Sequence, residues 1–370
     1  MIVPLADLPA QHRALRTELS AAFEHVMDSC RFILGDNVAM LETETAQAAG
    51  VGYGLGVGSG TDALLLSLLA LDIGPGDEVV TTPFTFVATA EVICLAGATP
   101  VFADIDPHSF NLDPSQALQR ITPRTKAIMP VHLFGQLADM TRLGEIARAH
   151  NLALVGDGAQ AIGATHRGKA MAQWSDLTTL SFFPTKNLGG CGDGGMVLTD
   201  SETHRERIKT LRFHGSGGGY FYKEVGYCSR LDELQAALLR VKAAHIDDWN
   251  NQRRANAHRY HQGLRALEGR ICLPATDDGN HHVFHQYTIR VNDGRRDDLQ
   301  KHLASQGVQS AVYYPLSLHL QEAYSHLGLK AGDLPESEQA SREVLSLPVH
   351  PDLSEEQVAF VVQSIQAFFA

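Results

Sequence analysis

Apolar and polar positions along the chain alternate with two periods, one typical of helices and one typical of strands. Residues 11–29 and 36–49 have apolar side chains at helical spacing, and they predict two amphipathic helices near the N-terminus. From residue 53 onward, short apolar runs such as PVFADI, KAIMPV and LALVGD are separated by roughly ten to twenty residues of helical or turn character. This rhythm is typical of βαβ units, so the sequence predicts an α/β fold with a mostly parallel central sheet flanked by helices.

The second part of the chain is organised differently. Residues 231–268 form a long, charged and helix-prone stretch, which predicts a connector leading out of the first domain. The strand-like run HQYTIRV and the helix-like runs RRDDLQKHLASQG and SEEQVAFVVQSIQAFF follow it. We therefore predict a large domain over residues 1–245 and a smaller C-terminal α/β domain over residues 246–370, for which a chain of 370 residues is long enough.

Composition and charge narrow the choice of partners. A net charge of −12 without any basic block argues against nucleic acid or an anionic membrane as a partner, although it allows an anionic small molecule in a local cationic pocket. No apolar run reaches the about 18 residues of a membrane-spanning helix, and the N-terminus has no signal-peptide pattern. The 5 cysteines are scattered and form no CxxC motif, so we expect a cytoplasmic protein.

Four short motifs, in a fixed order along the first domain, are candidates for binding one flat, phosphorylated cofactor. The GSGT run that contains Thr61 precedes a helix, whose N-terminus attracts anions. Phe86 follows a strand and offers a ring for stacking. Asp157 ends the strand-like run LALVGD, at the sheet edge where α/β proteins bind ligands. Lys186 lies in SFFPTKNLGGCGDGG, between a strand-like segment and a glycine-rich turn.

Taken singly, these motifs also fit an ordinary helix cap, a core aromatic, a capping aspartate and a surface lysine. Together they supply a phosphate cup, a ring platform, a partner for a protonated ring nitrogen and an amine for a Schiff base, which pyridoxal phosphate (PLP) requires. Other chemistries fit less well. GATHRGKA departs from a P-loop at Ala170 and reads as a hairpin turn. The GVGSG run has GxGxG spacing and not the GxGxxG of a dinucleotide fingerprint, and no GxSxG motif occurs. The histidines of HHVFH lack acidic or cysteine partners at ligand spacing, so we expect no metal site.

With these motifs the chain resembles the DegT/StrS-type nucleotide-sugar aminotransferases, which are PLP enzymes of fold type I. The resemblance runs from about residue 2 to about residue 365 and rests on SGTDAL, TPFTFVATAE, PVFADIDP, TPRTKAIMPVHLFGQ, DGAQAIGA, SFFPTKNLGGCGDGG, SRLDELQAA and VYYPLSLH. Within the family it resembles in particular the enzymes that aminate 3-keto nucleotide sugars, of the UDP-linked 3-keto-N-acetylglucosaminuronate type or the dTDP-3-keto-6-deoxyhexose type.

The resemblance implies a role for each residue at the cofactor. It implies that Lys186 forms the Schiff base and then carries a proton, that Asp157 pairs with the ring nitrogen, and that Phe86 stacks on the ring. Gln160 is expected to contact the phenolic oxygen of the cofactor. Three further groups are expected to hold its phosphate, namely the side chain of Thr61, the backbone of Asp62 and the side chain of Ser181.

The resemblance also implies a homodimer whose two active sites are shared. The SRLDEL segment is expected to reach into the neighbouring subunit, where Arg230 touches the cofactor phosphate or the substrate. Tyr314 and His319, in VYYPLSLH, are expected to line the sugar pocket. Many relatives have a phosphate-binding asparagine before SR, whereas this chain has Cys228, a poor donor. The phosphate would lose one contact worth about 1 kcal/mol unless Ser229 or Arg230 replaces it.

The implied activity is transfer of an amino group from L-glutamate to a nucleotide-linked keto sugar, at C3. The sequence leaves open the nucleotide, the sugar and amination at C4 instead of C3. Two other classes also remain open: another PLP reaction such as a lyase or desulfurase, for which Cys191 and Cys228 are the candidate cysteines, and a PLP-binding regulator without turnover. A regulator would need a DNA-binding module, and the chain has no basic helix-turn-helix segment. A dehydrating branch of the family has histidine in place of the lysine, so Lys186 argues against it.

Overall fold

The computed structural model describes all residues from 1 to 370. Thirteen α-helices run along the chain: α1 (Leu8–Ala14), α2 (Arg16–Ser29), α3 (Asp36–Ala48), α4 (Gly60–Ala70), α5 (Ala88–Leu95), α6 (Pro114–Gln119), α7 (Met140–His150), α8 (Glu202–Leu211), α9 (Glu233–Ala243), α10 (Ile246–Leu264), α11 (Arg296–Ser305), α12 (Pro335–Glu343) and α13 (Glu355–Phe369). None of them combines the length and the apolar character needed to cross a lipid bilayer.

The strands form one large sheet and three small ones. In chain order they are β1 (Tyr53–Val57), β2 (Glu78–Thr81), β3 (Thr99–Phe102), β4 (Thr125–Met129), β5 (Ala153–Asp157), β6 (Thr165–His166), β7 (Lys169–Ala170), β8 (Leu177–Ser181), β9 (Gly195–Thr199), β10 (Ser216–Gly218), β11 (Phe221–Tyr222), β12 (Ile271–Cys272), β13 (Asn280–His281), β14 (Tyr287–Val291) and β15 (Val344–Leu347). The large sheet has seven strands in the order β1-β9-β8-β5-β4-β2-β3.

The large sheet is mostly parallel, as the alternation of apolar runs and helical patterns predicted. The pairs β2–β3, β2–β4, β4–β5 and β5–β8 are parallel, and only β9 runs against its neighbours β1 and β8. All residues of β2 and β9 are buried, as expected for strands covered by helices on both faces. The parallel strands end at one edge, so the loops after β5 and β8 lie beside each other.

Of two local predictions, the structure confirms the hairpin and contradicts the single helix over residues 11–29. Residues 165–170 form the predicted hairpin, in which Thr165 pairs with Ala170 across a turn with positive φ at Arg167 and Gly168. The prediction of one helix over residues 11–29 is wrong, because the structure has two helices, α1 and α2, that meet at Leu15. Leu15 has φ −103° and ψ 11°, which interrupts the helical backbone, whereas the predicted helix over 36–49 corresponds to α3.

The predicted connector over residues 231–268 consists of α9 and α10, which are separated at residues 244–245. Beyond it, the strands β12, β14 and β15 form an antiparallel sheet, and a cluster of 20 buried residues fills the space between this sheet and α10, α11 and α13. Val3 belongs to this second cluster and bridges Val308, so the first residues of the chain pack with its C-terminal part. The boundary near residue 245 stays a prediction.

Candidate active site

A cavity of about 490 Å³ opens at the carboxyl ends of the parallel strands. Seven of the residues that the sequence singled out line it: Thr61, Phe86, Asp157, Gln160, Ser181, Lys186 and Tyr314. They come from distant positions along the chain, and the fold brings them together because β5 ends at Asp157 and β8 ends at Ser181 in neighbouring parallel strands. The other predicted residues, Asp62, Cys228, Arg230 and His319, do not line this cavity.

Asp157 is the acidic group of the cavity. It is 5% exposed, and it accepts hydrogen bonds from the Thr89 hydroxyl (2.8 Å) and from the main-chain N–H of Ala159 (3.2 Å). Burial raises the pKa of Asp157 above its usual value, and the two hydrogen bonds and the charge of Lys186 only partly counter that effect. Because desolvation disfavours its charged form, this carboxylate is suited to a buried cationic partner, such as a protonated ring nitrogen.

Lys186 provides the amine of the cavity. Its Nζ makes no hydrogen bond within the chain, and burial lowers the pKa of Lys186 despite the opposing effect of the Asp157 carboxylate. The loop that carries it is tight, because a Cβ at position 189 would lie 2.2 Å from the carbonyl oxygen of Pro184. The N–H of Lys186 donates to the carbonyl of Phe183 (2.9 Å), which closes the turn after β8. The amine is therefore held by a rigid loop in an environment that favours its neutral form.

The start of α4 forms the predicted anion-binding end. Ser59 precedes the helix, and its hydroxyl accepts from the N–H of Asp62 (3.0 Å). Ser181 approaches so closely that a Cβ at Gly60 would lie 2.7 Å from the Cβ of Ser181. Thr61 and Ser181 thus lie beside the positive end of an 11-residue helix, which suits a phosphate. The N–H of Asp62, predicted to bind phosphate, is engaged by Ser59 in this chain.

Two aromatic residues after β2 have different environments. Phe86 is 57% exposed and lines the cavity, so its ring is free to stack on a flat ligand. Phe84 is fully buried, and its ring packs against those of Phe110, Phe134 and Tyr314. Of the two, only Phe86, the predicted stacking residue, lines the cavity.

Gln160 and Tyr314 form a fixed polar pair in the wall of the cavity. Gln160 Oε1 accepts from the N–H of Phe134 (2.7 Å), and its Nε2 donates to the hydroxyl oxygen of Tyr314 (3.3 Å). Because Nε2 is the donor in this bond, the Tyr314 hydroxyl keeps its own proton for another acceptor. Burial raises the pKa of Tyr314, so that proton is retained at neutral pH.

His319 does not line the cavity and is buried in the segment that follows Tyr314. It is 2% exposed, its Nδ1 lies 2.9 Å from the Ser317 hydroxyl, and its Nε2 lies 3.2 Å from a carboxylate oxygen of Glu338. These contacts tie the segment after Tyr314 to α12. The role of His319 in the sugar pocket stays a prediction.

Cys228 and Arg230 contact each other outside the cavity. The Arg230 guanidinium donates to the Cys228 sulfur (2.9 Å) and stacks on the ring of Phe213 at 4.9 Å. Between them in sequence, Ser229 donates to the Asp62 carboxylate (2.7 Å) and accepts from the N–H of Gly58 (3.1 Å). The SRLDEL segment is therefore anchored to the start of α4 within one chain, and the roles of Cys228 and Arg230 across a dimer stay predictions.

Several residues of the cavity escaped the sequence analysis. They are Thr85, Thr185, Asp193, His285, Gln286 and Tyr313, and Thr89 lies directly behind Asp157. His285 and Gln286 come from the second part of the chain, from the HHVFHQY run, for whose histidines the sequence predicted no metal site. The structure separates these histidines, since His282 stacks on Phe284 while His285 lines the cavity. For Tyr313, the sequence feature that could have indicated it is its position next to Tyr314 in VYYP.

The similarity of the chain to known proteins agrees with the interpretation of this cavity as an active site. The model of the DegT/DnrJ/EryC1/StrS aminotransferase family matches residues 13–366. The chain belongs to this family. The family that the motifs indicated is thus confirmed, as is the predicted fold class, since solved aminotransferases of the family superpose on almost the whole chain.

Among curated relatives, the aminotransferase is 49% identical over 370 residues to the pleiotropic regulatory protein of Geobacillus stearothermophilus, covering 100% of this chain and 99% of the relative. It is 43% identical to the UDP-N-acetyl-3-dehydro-alpha-D-glucosamine 3-aminotransferase of Acidithiobacillus ferrooxidans, covering 98% and 97% of the two chains. Among solved structures, S. venezuelae DesV in complex with a ketimine intermediate superposes with a TM-score of 0.97 at 42% identity, over 99% of this chain and 98% of DesV. NtdA of Bacillus subtilis, with its bound cofactor PMP, gives a TM-score of 0.90 at 32% identity, over 95% and 81%.

Proposed function

We propose that the chain is a PLP-dependent aminotransferase that transfers an amino group from L-glutamate to C3 of a nucleotide-linked keto sugar. The observation that carries this proposal is one cavity in which the amine of Lys186 and the carboxylate of Asp157 both face the space beside an anion-binding helix start. The A. ferrooxidans relative is a 3-aminotransferase, and a relative from Streptomyces venezuelae is a transaminase named for a dTDP-linked 3-amino sugar. Both support C3 as the site of amination.

The residues present fit the cofactor. Thr61 and Ser181, at the start of α4, would hold its phosphate, Phe86 would cover its ring, and Asp157 would pair with its nitrogen. The amine of Lys186 makes no hydrogen bond within the chain, so it is available for a covalent bond to the cofactor. PLP, when bound, supplies an electron sink that stabilises negative charge on the carbon next to the transferred nitrogen.

Lys186 carries the proton transfers. Burial lowers its pKa and so favours the neutral form of Nζ, which carries a lone pair. With the cofactor bound, this lone pair would accept the proton from the α-carbon of the amino donor and would return a proton in the amination half-reaction. The rigid turn around Gly189 keeps the amine within reach throughout.

Asp157, Tyr314 and Gln160 provide the charge and the hydrogen-bonding groups of the cavity. Asp157, which accepts hydrogen bonds from Thr89 and from the N–H of Ala159, would place its carboxylate beside the ring nitrogen and would favour the protonated form of that nitrogen. Tyr314 keeps a hydroxyl proton that is available to an acceptor, and the Gln160 amide holds the hydroxyl oxygen in place. The aromatic cluster behind Tyr314 excludes water from this side of the cavity.

The test combines one variant with a panel of substrates. Purified protein is incubated with PLP, reduced with borohydride and mapped for a modified lysine; the modification is expected on Lys186 and is expected to vanish in Lys186→Ala. Glutamate-dependent amination of UDP- and dTDP-linked 3-keto and 4-keto sugars is then scored by mass spectrometry. Lys301→Ala, an exposed lysine outside the cavity, is the control. Normal transamination by Lys186→Ala would refute the proposal, and turnover of 4-keto sugars alone would move the amination to C4.

Two alternatives are separated by the same panel. A desulfurase requires a cysteine at the site, and both Cys191 and Cys228 are exposed and lie outside the lining of the cavity. A PLP-binding regulator is the second candidate, because the G. stearothermophilus relative is called a pleiotropic regulatory protein. Cofactor binding without amino transfer to any sugar of the panel would favour the regulator.

We further propose that the enzyme is a cytoplasmic homodimer. All 5 cysteines are free, which suits a reducing compartment. Arg230 and Cys228 are placed on the surface rather than at the cavity, so their predicted contacts with cofactor or substrate require a second copy of the chain. Light scattering on the purified protein tests the dimer directly.

A further inference from the structure

One peptide unit, between Gly189 and Gly190, closes the base of the loop that carries Lys186. Its N–H, which belongs to Gly190, donates to the carbonyl of Phe182 at the start of the loop (2.7 Å). Gly189 has no room for a side chain, since a Cβ there would lie 2.2 Å from the carbonyl oxygen of Pro184. Because Lys186 lies between these closing contacts, the orientation of this peptide determines where the loop holds its amine.

The opposite end of the same peptide is bound by Lys242, which lies on α9. Nζ of Lys242 donates to the carbonyl of Gly189 (2.6 Å). The peptide is thus held at both ends, its N–H by Phe182 just after β8 and its C=O by a helix that is distant in sequence. The N–H and the C=O of one planar peptide point in opposite directions, so the two bonds together fix its rotation.

A second residue of α9 binds the same loop. Gln235 Oε1 accepts from the N–H of Cys191 (2.9 Å), and its side-chain amide lies so close that a Cβ at Gly190 or at Gly192 would be 2.9 Å from it. Gln235 and Lys242 lie about two helical turns apart, so they project from the same face of the helix. This face of α9 is the surface on which the loop packs.

Lys242 is fully buried and makes no ion pair with a carboxylate. It is 0% exposed, and the other neighbour within hydrogen-bond distance of Nζ is Nε2 of His12 on α1 (3.1 Å). Burial lowers the pKa of Lys242, and the nearby Cys191 only partly opposes that effect. The amine has N–H groups to donate in either protonation state, so the bond to Gly189 does not depend on its charge. Because an apolar side chain of similar length would avoid the cost of burying an amine, we take the contact with Gly189 as its role.

We propose that Lys242 is a positioning residue for the reaction: by binding the carbonyl of Gly189, it holds the loop that presents the Lys186 amine to the cofactor. Lys242 does not line the cavity, so it acts only through the peptide that it binds. This inference rests on the proposed function, in which Lys186 bonds to the cofactor and carries the protons.

The effect on the loop is tested in cofactor-free protein by site-resolved hydrogen–deuterium exchange. Lys242→Met keeps a long unbranched side chain and removes the donor. We expect the amides of Lys186 and Gly190 to exchange about tenfold faster, because a hydrogen bond that holds their loop is lost. The matched control is Arg240→Met, which removes a cation of the same helix that binds Glu44 and not the loop. Wild-type exchange of both amides in Lys242→Met would overturn the proposal.

The effect on the reaction is tested in the donor half-reaction of the enzyme loaded with PLP. For Lys242→Met we expect the maximal rate with glutamate to fall about tenfold, since a displaced amine is a poorer general base. The glutamate concentration at half-maximal rate should stay within about twofold, because Lys242 does not contact the substrate. Borohydride trapping of PLP on Lys186 should also be slower, whereas Arg240→Met should match the wild type in each measurement. A shift in half-saturation with an unchanged maximal rate would contradict the positioning role.

The outcomes separate this inference from the proposed function. If Lys242→Met keeps the wild-type maximal rate, Lys242 is not a positioning residue, while transamination stands. If the wild-type enzyme converts no amino donor at all, the proposed function fails, and the exchange measurement still reports whether Lys242 holds the loop. If Lys242→Met does not fold, a crystal structure of the wild-type enzyme with PLP decides. Lys242 Nζ bound to the Gly189 carbonyl would support the proposal, and a separation beyond about 3.5 Å would refute it.

Discussion

Asp157 and Lys186 show how burial sets the chemistry of single residues. Desolvation raises the pKa of the carboxyl and lowers the pKa of the amine, which moves both groups toward their neutral forms, while each charge partly restores the other. Asp157 has the additional support of Thr89 and Ala159, whereas the Lys186 amine has none. The chain therefore donates two hydrogen bonds to the anionic form of Asp157 and leaves the Lys186 amine without a hydrogen bond.

Thr89→Val tests the support of Asp157. The Thr89 hydroxyl donates to the carboxylate form, so its removal favours the protonated form and raises the pKa of Asp157 further. We expect the acidic limb of the kcat/KM profile to move to higher pH, and the activity lost at low pH to exceed the activity lost at high pH. Thr43→Val, on the exposed side of α3, is the control. A uniform loss at every pH would contradict the prediction.

Cys228→Asn tests the departure from the usual family motif. An asparagine amide is a better donor than a thiol, and we expect it to add one phosphate contact worth about 1 kcal/mol, or about fivefold in affinity. The dissociation constant of pyridoxamine phosphate, measured by calorimetry on the cofactor-free protein, should fall accordingly. Cys272→Asn, an exposed cysteine on β12, should leave it unchanged. An equal or weaker affinity of Cys228→Asn would show that the phosphate is already fully bound without this residue.

Glu233, the first residue of helix α9, binds the N-terminus of helix α3. The Glu233 carboxylate accepts from the N–H groups of Asn37 (2.6 Å) and Val38 (3.1 Å) and from the Asn37 amide (2.9 Å). It therefore caps the N-terminus of α3, where Gly35 has no side-chain cap of its own. A Cβ at Gly35 would lie 2.6 Å from Glu233 Cδ, so the close approach requires glycine. The SRLDEL segment thus joins α3 and α9 as well as the start of α4.

Glu233→Gln tests this cap. The substitution keeps the shape of the side chain but removes its charge and one acceptor oxygen, which leaves a helix N–H less well bound. We expect a loss of about 1–2 kcal/mol in the free energy of unfolding, measured by urea denaturation at fixed protein and cofactor concentration. Asp232→Asn, the exposed neighbour without a side-chain cap bond, should change it by much less. Equal effects of the two variants would rule out capping as the role of Glu233.

The two largest hydrophobic clusters lie in different parts of the chain, and the candidate active-site cavity takes residues from both parts. A cluster of 28 buried residues lies around the large sheet, and the cluster of 20 lies around the C-terminal sheet. The cavity takes Lys186 and Asp157 from the first part of the chain and His285 and Tyr314 from the second. A large apolar surface remains exposed on α2, α3 and the loop between them, formed by Phe23, Met27, Phe32, Ile33 and Met40, each 39–50% exposed.

This apolar surface is where we expect the second copy of the chain to bind. Phe23 and Met27 lie one turn apart on α2, so Phe23→Glu combined with Met27→Glu places two charges in the proposed interface. The mass by light scattering should fall from about twice to once the 40.2 kDa of the chain, with loss of bound cofactor. Leu118→Glu, at a comparably exposed apolar position on α6, is the control. An unchanged dimer mass in the double variant would place the interface elsewhere.

The sequence by itself determined the parts that depend on local pattern. The alternation of apolar runs predicted the parallel sheet, because the period of side-chain exposure is set by each element alone. It also identified Lys186, Asp157 and Phe86, since a strand end followed by a loop carries such residues in recognisable order. The break at Leu15 was missed because apolar spacing continues across it, and a change of backbone direction leaves that spacing intact.

Only the tertiary structure decided which residues meet. His285 lies 99 positions from Lys186 in number, and no period or motif joins them; they share a cavity because the segment around His285 packs on the turn at Gly135. Nδ1 of His285 donates to the amide oxygen of Asn187, whose orientation follows from a chain of amides that begins at the carbonyl of Ile162, and such directionality exists only in three dimensions. Local pattern fixes elements because it acts over a few residues, whereas hydrogen-bond direction and burial depend on contacts that the fold alone creates.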